Sequence, residues 1–401
     1  MILSTRIKIV IALLLFVILI MILLKNTYEG FDVLGENNNN NNINININTK
    51  GWNRNECSYI IGETIENIFK KYNIKKTDNN WDIYLPCNYD DPKIEIEKMP
   101  IINGAKYFII DDCDKLVAKN LLWDHVVKHY GLERAKTMLP PSYQLYNEKD
   151  MKRFDKKEYD PKKLYIMKKN IQRQEGLKIT NNKKEILEGK NDKYVIVQEL
   201  LQNPYTIDKR KIDMRFYVLV VCKNKHFDVY VHREGFMYYT KVPYENGSID
   251  KDTNVTTGYI DRSVYEKNPL THGDMRKYLD DSLRSLSEIE QNIRNQGLRI
   301  SDVFFQRIYY LIRNVFMSFV GYIGTANKFE NNIQFQLFGI DVAINDQLNP
   351  LILEINKGPD MNAKDERDSQ VKHMVMGDIF RIINVIDEKN TKNGFIQVIK
   401  I

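Results

Sequence analysis

The amino-terminal stretch of this chain has no polar periodicity at all. Every residue from Ile9 to Leu24 is apolar, with Arg6 and Lys8 before the run and Lys25 behind it. Snorkelling lysines extend such a run to about 17 residues, the short end of membrane-spanning helices. Residues 1–25 are therefore expected to be an N-terminal membrane anchor. A cleaved signal peptide is the alternative, but its apolar core usually ends at small residues, whereas Lys25-Asn26-Thr27-Tyr28 follows here. The expected localisation is a single-pass membrane protein, with the side of its body open. The next stretch, residues 26–51, holds Asn37 to Asn42 and then alternating Ile and Asn to Asn48. That composition cannot bury enough apolar surface to order itself, so a disordered linker is expected.

From Trp52 the two structural periods take over. Ala105 to Ile110 is a short β-rich run, and Lys115 to Tyr130 carries apolar residues at helical spacing, with Gly131 where a helix would end. Leu139-Pro140-Pro141-Ser142 marks a boundary, giving a small α/β domain over 52–140 and a main domain over 141–401. Strands are predicted at Leu164–Met167, Tyr194–Val197, Phe216–Val221 and Phe227–Val231, and a long helix over Val303–Val320. Phe335–Ile344 and Leu351–Ile355 form a strand pair joined by a turn through Asn345, Asp346, Asn349 and Pro350. The fold class is α+β.

Composition narrows the function. Across 401 residues, 43% are hydrophobic and 28% charged, which suits a chain with real cores. The net charge of +6 is too mild for a nucleic-acid binder, and none is expected. Cys57, Cys87, Cys113 and Cys222 form no C-x-x-C pair, so neither a zinc site nor a disulfide scaffold is indicated.

The candidate chemistry sits on strands. Glu354 and Asn356, two apart, share a strand face, and Asp341 can face them from the paired strand. Three oxygen ligands on one face suit magnesium, which completes its octahedron with phosphates; a plain amphipathic hairpin is the alternative. Upstream, Lys211, Asp213 and Arg215 alternate onto one face, an arrangement suited to a transferring phosphoryl group or to simple strand-face salt bridging. Lys168 ends another strand before a polar turn containing Arg173 and Gly176, a weak phosphate loop. Gln198 and Glu199 close a strand whose backbone would pair with an adenine edge.

These residues, in this order, resemble the tubulin tyrosine ligase-like family of ATP-grasp amino-acid ligases. The family's K-F-D-L-R-x-Y-V-L-V is matched by Lys211-Ile-Asp213-Met-Arg215-Phe-Tyr-Val-Leu-Val220. Its F-x-L-F-G-x-D and P-x-L-L-E-x-N-x-x-P are matched by Phe335 to Asp341 and by Pro350 to Pro359. The match runs from about Trp81 to about Ile383.

The resemblance implies an ATP-grasp fold and an ATP- and Mg2+-dependent ligase. In it a protein carboxylate attacks the γ-phosphate and an amino acid of the tyrosine, glutamate or glycine class displaces phosphate. It implies that Lys168 and Lys211 hold the nucleotide phosphates and that Gln198, Glu199 and neighbouring main chain hold adenine; Arg173, Gly176 and Asp213 are further cofactor-binding candidates. Asp341, Glu354 and Asn356 would ligate magnesium, Arg215 and Lys211 would be catalytic, and Arg215 would face the substrates; strand alternation places Arg233 near the same end of the sheet, and Tyr238 is a further substrate-binding candidate. The implied partners are a free amino acid and a protein acceptor with an acidic tail, tubulin being the family's. There are departures. The turn R-G-x-G-I is Arg173-Gln174-Glu175-Gly176-Leu177, Tyr238 stands where arginine is common, and H-L-T-N survives only as Asn254-Val255-Thr256-Thr257. A non-catalytic membrane-anchored ATP-binding scaffold of the same fold is the alternative. A type II membrane glycosyltransferase, using Asp112-Cys113-Asp114 as a metal-binding D-x-D, is a remote one. Asn246 and Asn254 begin glycosylation sequons.

Overall fold

Two long antiparallel strands organise the molecule, and both are longer than the apolar pattern predicts. In chain order the strands are β1 (Gly51–Asn53), β2 (Lys75–Lys76), β3 (Ile83–Tyr84), β4 (Lys106–Tyr107), β5 (Ser142–Gln144), β6 (Tyr165–Lys169), β7 (Leu177–Thr180), β8 (Tyr194–Glu199), β9 (Thr206–Ile207), β10 (Arg210–Lys223), β11 (His226–Thr240), β12 (Thr256–Thr257), β13 (Ile333–Ile344), β14 (Pro350–Lys357) and β15 (Phe395–Lys400). The computed structural model describes residues 50–57, 61–87, 92–170, 176–224, 226–329, 331–388 and 391–401.

Eleven of these strands make one sheet, in the order β12-β11-β10-β13-β4-β3-β1-β2, with β14 on β13, β15 on β11 and β9 on β10. The sheet is antiparallel around β10, while β1 to β4 join one another and β13 in parallel. The residues of the expected small N-terminal domain thus extend the main sheet. A second sheet has the order β5-β8-β6-β7.

β10 runs for 14 residues because its polar first half, Lys211 to Arg215, is largely buried like its apolar second half. β11 continues past Val231 through His232-Arg233-Glu234-Gly235, where polarity suggests a loop. Its pairing with β10 shifts register between Phe216 and Val218. Gly235 restores the register: a Cβ there would lie 2.2 Å from the Arg215 carbonyl oxygen and 2.5 Å from His272 Cε1, so the two backbones approach as only glycine allows.

The helix expected over Lys115–Tyr130 is two helices, Asp114–Val117 and Lys119–Tyr130, broken where Ala118 adopts an extended ψ of 121°. Gly131 ends the second as expected, with φ +81° and its N–H donating to Val127 O at 2.8 Å. The long helix is Ile300–Met317, which buries Phe304, Phe305, Ile308, Ile312, Val315 and Phe316 in the main core. A further helix, Glu366–Ile382, is capped by the Asp365 side chain accepting from Asp368 N–H.

Two expectations need correcting. Among the described residues no helix is long and apolar enough to cross a membrane. Even the 18-residue helix Ile300–Met317 carries Asp302, Arg307 and Arg313 and packs against the sheet. The single-pass membrane localisation is therefore withdrawn; Ile9–Leu24 and the asparagine tract lie outside the described residues. Second, Cys57 and Cys87, separated by 30 residues, form a disulfide that their spacing did not signal, while Cys113 and Cys222 are buried and free.

Candidate active site

A cleft of about 1210 Å³ separates the two sheets. The smaller sheet contributes Ile166 and Lys168 from β6, Leu177 from β7, and Gln198 and Glu199 from β8. The larger contributes Lys211, Asp213 and Arg215 from β10, Tyr238 from β11, Asp341 from β13, and Glu354 and Asn356 from β14. These charged groups come from strands whose other residues are locked in the core, which fixes their positions.

One lysine comes from each sheet. Lys168 is buried and its Nζ donates to Gln198 Oε1 at 2.7 Å, while Gln198 Nε2 donates to Ser142 Oγ at 3.0 Å. Burial pushes the Lys168 ammonium below the usual lysine value, and the Glu354 carboxylate opposes that shift. Lys211, also buried, is lowered by burial against the pull of Asp213. These are two desolvated cations with few anionic partners, a fit for phosphate oxygens.

The three oxygen-bearing side chains line up across strands. β13 pairs Asp341 with Glu354 and Gly339 with Asn356, and Asn356 Nδ2 donates to Glu354 Oε1 at 2.9 Å. Burial alone would raise the Glu354 carboxyl, but Lys168, the Asn356 amide and Lys119 outweigh it and hold Glu354 below the usual carboxylate value. Burial pushes the Asp341 carboxyl up despite Arg215, with the Glu354 charge adding to that push. Arg215 closes the row: its Nε lies 2.6 Å from Asp341 Oδ1 and its Nη2 2.9 Å from Oδ2. Two carboxylates and an amide oxygen beside two lysines fit a hard divalent cation carrying phosphates. Asp213, 5% exposed, accepts from Thr256 Oγ1 at 2.6 Å through Oδ2, while its Oδ1 has no hydrogen-bond partner.

Other candidates fall differently. Glu199 lines the cleft, but its carboxylate is held by Lys157 and, at 2.5 Å, by Lys163; adenine would have to use main chain there. Arg233 is exposed and outside the cleft lining, because β11 has left β10 at that point and Arg233 N–H donates to Gly394 O. Gly176 sits at φ +71°, where a Cβ would lie 2.8 Å from Lys169 Cβ; Arg173 lies outside the described residues. Tyr238 stacks its ring on the Arg215 guanidinium, 5.4 Å from the centroid.

Some cleft residues were not readable. Lys119 acts on Glu354 from the start of its helix, and Lys372 and Asp368, one turn apart on the helix Glu366–Ile382, pair at 3.0 Å while 5% and 7% exposed. An i,i+4 pair in sequence looks like a surface pair; only the burial distinguishes it.

The sequence profile of the tubulin-tyrosine ligase family matches residues 110–393. The chain belongs to the tubulin-tyrosine ligase family. It is similar to the "Probable tubulin polyglutamylase ttll-9" of Caenorhabditis elegans, 24% identical over 288 residues, covering 69% of this chain and 64% of that protein. It is also similar to human tubulin polyglutamylase TTLL6, 21% identical over 372 residues, covering 86% and 39%. A third relative is tubulin glycylase 3B of Drosophila melanogaster, 24% identical over 228 residues, covering 55% and 29%. The chain thus spans less than two thirds of each of these relatives. The tubulin-tyrosine ligase family has an ATP-grasp-like α+β fold, which agrees with the two sheets and the cleft between them.

Local contacts account for the motifs that pointed elsewhere. Asp112, at φ +56°, pairs with Lys115 at 2.9 Å, and Asp114 pairs with Lys357 at 2.5 Å, tying the helix Asp114–Val117 to β14. Cys113 between them is buried, so the D-x-D serves local structure. Asn254 is 2% exposed and its amide nitrogen donates to Ser248 O and Asp250 O, so that sequon is closed to modification in the folded chain.

Proposed function

We propose that this chain is an ATP- and magnesium-dependent ligase that joins an amino acid of the glutamate, glycine or tyrosine class to a carboxylate of a protein acceptor. The observation that carries this reading is the facing of Lys168 and Lys211, one from each sheet, over the row Asp341, Glu354 and Asn356. The names of the relatives, tubulin polyglutamylases and a tubulin glycylase, support an acidic tubulin-like tail as acceptor.

In the proposed mechanism Lys168 and Lys211 hold the phosphates, and β8 main chain faces the adenine. Asp341, Glu354 and Asn356 would hold magnesium, which supplies charge neutralisation on the phosphates. The acceptor carboxylate attacks the γ-phosphorus and ADP leaves, giving an acyl phosphate. The amine of the amino acid then attacks the acyl carbon, the amide forms, and inorganic phosphate departs. Arg215 stabilises the oxyanions of this sequence, while the buried walls limit water at the acyl phosphate.

Mass spectrometry of a glutamate-rich acceptor peptide, after incubation with ATP, magnesium and each amino acid in turn, tests the proposal. A gain of one residue mass that needs ATP and is lost in Glu354→Gln supports it. Binding of ATP with no such gain for any amino acid favours a non-catalytic ATP-binding scaffold.

A further inference from the structure

Arg215, Asp341 and Glu354 occupy directly opposed positions on three neighbouring strands, β10, β13 and β14. The Arg215 guanidinium meets both oxygens of Asp341, at 2.6 and 2.9 Å, with the two side chains 17% and 15% exposed. Space for this fork is made by Gly339, where a Cβ would lie 3.2 Å from Nη1 and 3.3 Å from Cδ of Arg215. On its other side stands the Tyr238 ring. The fork is therefore a built contact between strands.

A hard divalent cation held by Asp341 and Glu354 needs a carboxylate oxygen at about 2.0–2.1 Å. The side-on fork takes the syn lone pair of each Asp341 oxygen, leaving a cation only the anti positions, and the cation would bring two positive charges against a third. Cation and fork compete for one carboxylate. We propose that Arg215 is a metal-displaced latch: it covers Asp341 until a divalent cation binds, and the displaced guanidinium then becomes the receptor for a carboxylate or phosphate oxyanion in the cleft. This rests on the reading of the cleft as a magnesium-nucleotide site. It sets an order, metal first and oxyanion second, and by linkage each tightens the other.

The test is equilibrium binding of Mn2+ alone to the full chain, without turnover. Arg215→Lys keeps the charge but loses the fork, so it should bind Mn2+ about tenfold more tightly than the unsubstituted protein. Unchanged or weaker Mn2+ binding overturns the latch, because simple repulsion by a cation would be the same in both. A second arm uses inorganic phosphate in metal-free buffer. Asp341→Asn frees Arg215, whereas Glu354→Gln removes the same charge without freeing it. Asp341→Asn should therefore bind phosphate about tenfold more tightly than Glu354→Gln, and equal binding overturns the latch. This arm decides if Arg215→Lys fails to fold. Absence of Mn2+ binding in every protein overturns the metal-site reading with the latch, whereas Mn2+ binding indifferent to Arg215→Lys overturns the latch alone.

Discussion

The Thr256 hydroxyl donates to Asp213 Oδ2 at 2.6 Å across the cleft wall, while Oδ1 of the same carboxylate is left without a partner. Burial raises the Asp213 carboxyl from 3.8 to about 6, with Lys211 and Thr256 pulling it back. The folded protein thus keeps a proton that the unfolded chain releases from about pH 4 upward. Stability is fully present below that range, falls as pH rises to about 6, and is flat above it as far as this group is concerned. Denaturant unfolding at pH 4 and pH 7 should show the unsubstituted protein losing about 2 kcal/mol more than Asp213→Asn over that interval. Equal slopes would contradict the assignment.

Lys168 is buried with Gln198 as its hydrogen-bond partner. Lys168→Met keeps the volume and removes the charge, so the fold should persist. Nucleotide affinity should fall by at least about tenfold, since a charge-assisted hydrogen bond contributes about 1.5–3 kcal/mol. Titration with a fluorescent ATP analogue reads this directly, and an unchanged dissociation constant would remove Lys168 from the site.

Gly235→Ala drives a methyl group into the Arg215 carbonyl oxygen and the His272 ring. Overpacking of this kind costs about 1–3 kcal/mol, and the strand displaced is the one that carries Arg215. Both the unfolding midpoint and nucleotide binding should drop. Loss of stability with binding intact would show that β11 does not position the β10 side chains.

The Cys57–Cys87 disulfide closes a loop with a separation of 30 residues. By loop entropy such a crosslink stabilises by about 3–4 kcal/mol. Cys87→Ser should lower the unfolding midpoint in non-reducing buffer and abolish any effect of reductant. A reductant-insensitive midpoint in the unsubstituted protein would contradict the crosslink.

Much of the site was legible because it sits on strands. The period-two pattern of Leu353-Glu354-Ile355-Asn356 and of Lys211 to Arg215 fixes which side chains share a face, and Asn345 to Asn349 signal the turn that opposes Asp341 to Glu354. What failed depended on tertiary context. The break at Ala118 leaves no mark in the apolar spacing. β11 continues through Arg233-Glu234-Gly235 because β15 and the close approach at Gly235 support it. Arg233 was expected beside the substrates from alternation along its strand, yet the register shift carries it away. Asp368 and Lys372 look like a solvent-facing pair until their burial is seen. The membrane assignment rested on a segment outside the described residues, and no described helix supports it.

In the proposed reaction the acceptor carboxylate itself takes the γ-phosphoryl group before the amide forms. An acceptor peptide whose carboxylates carry oxygen-18, incubated with unlabelled ATP, magnesium and the amino acid, follows that oxygen. The account predicts that each inorganic phosphate released carries one oxygen-18 atom from the acceptor and that one amide forms per labelled phosphate. Phosphate released without label while the amide forms would contradict it.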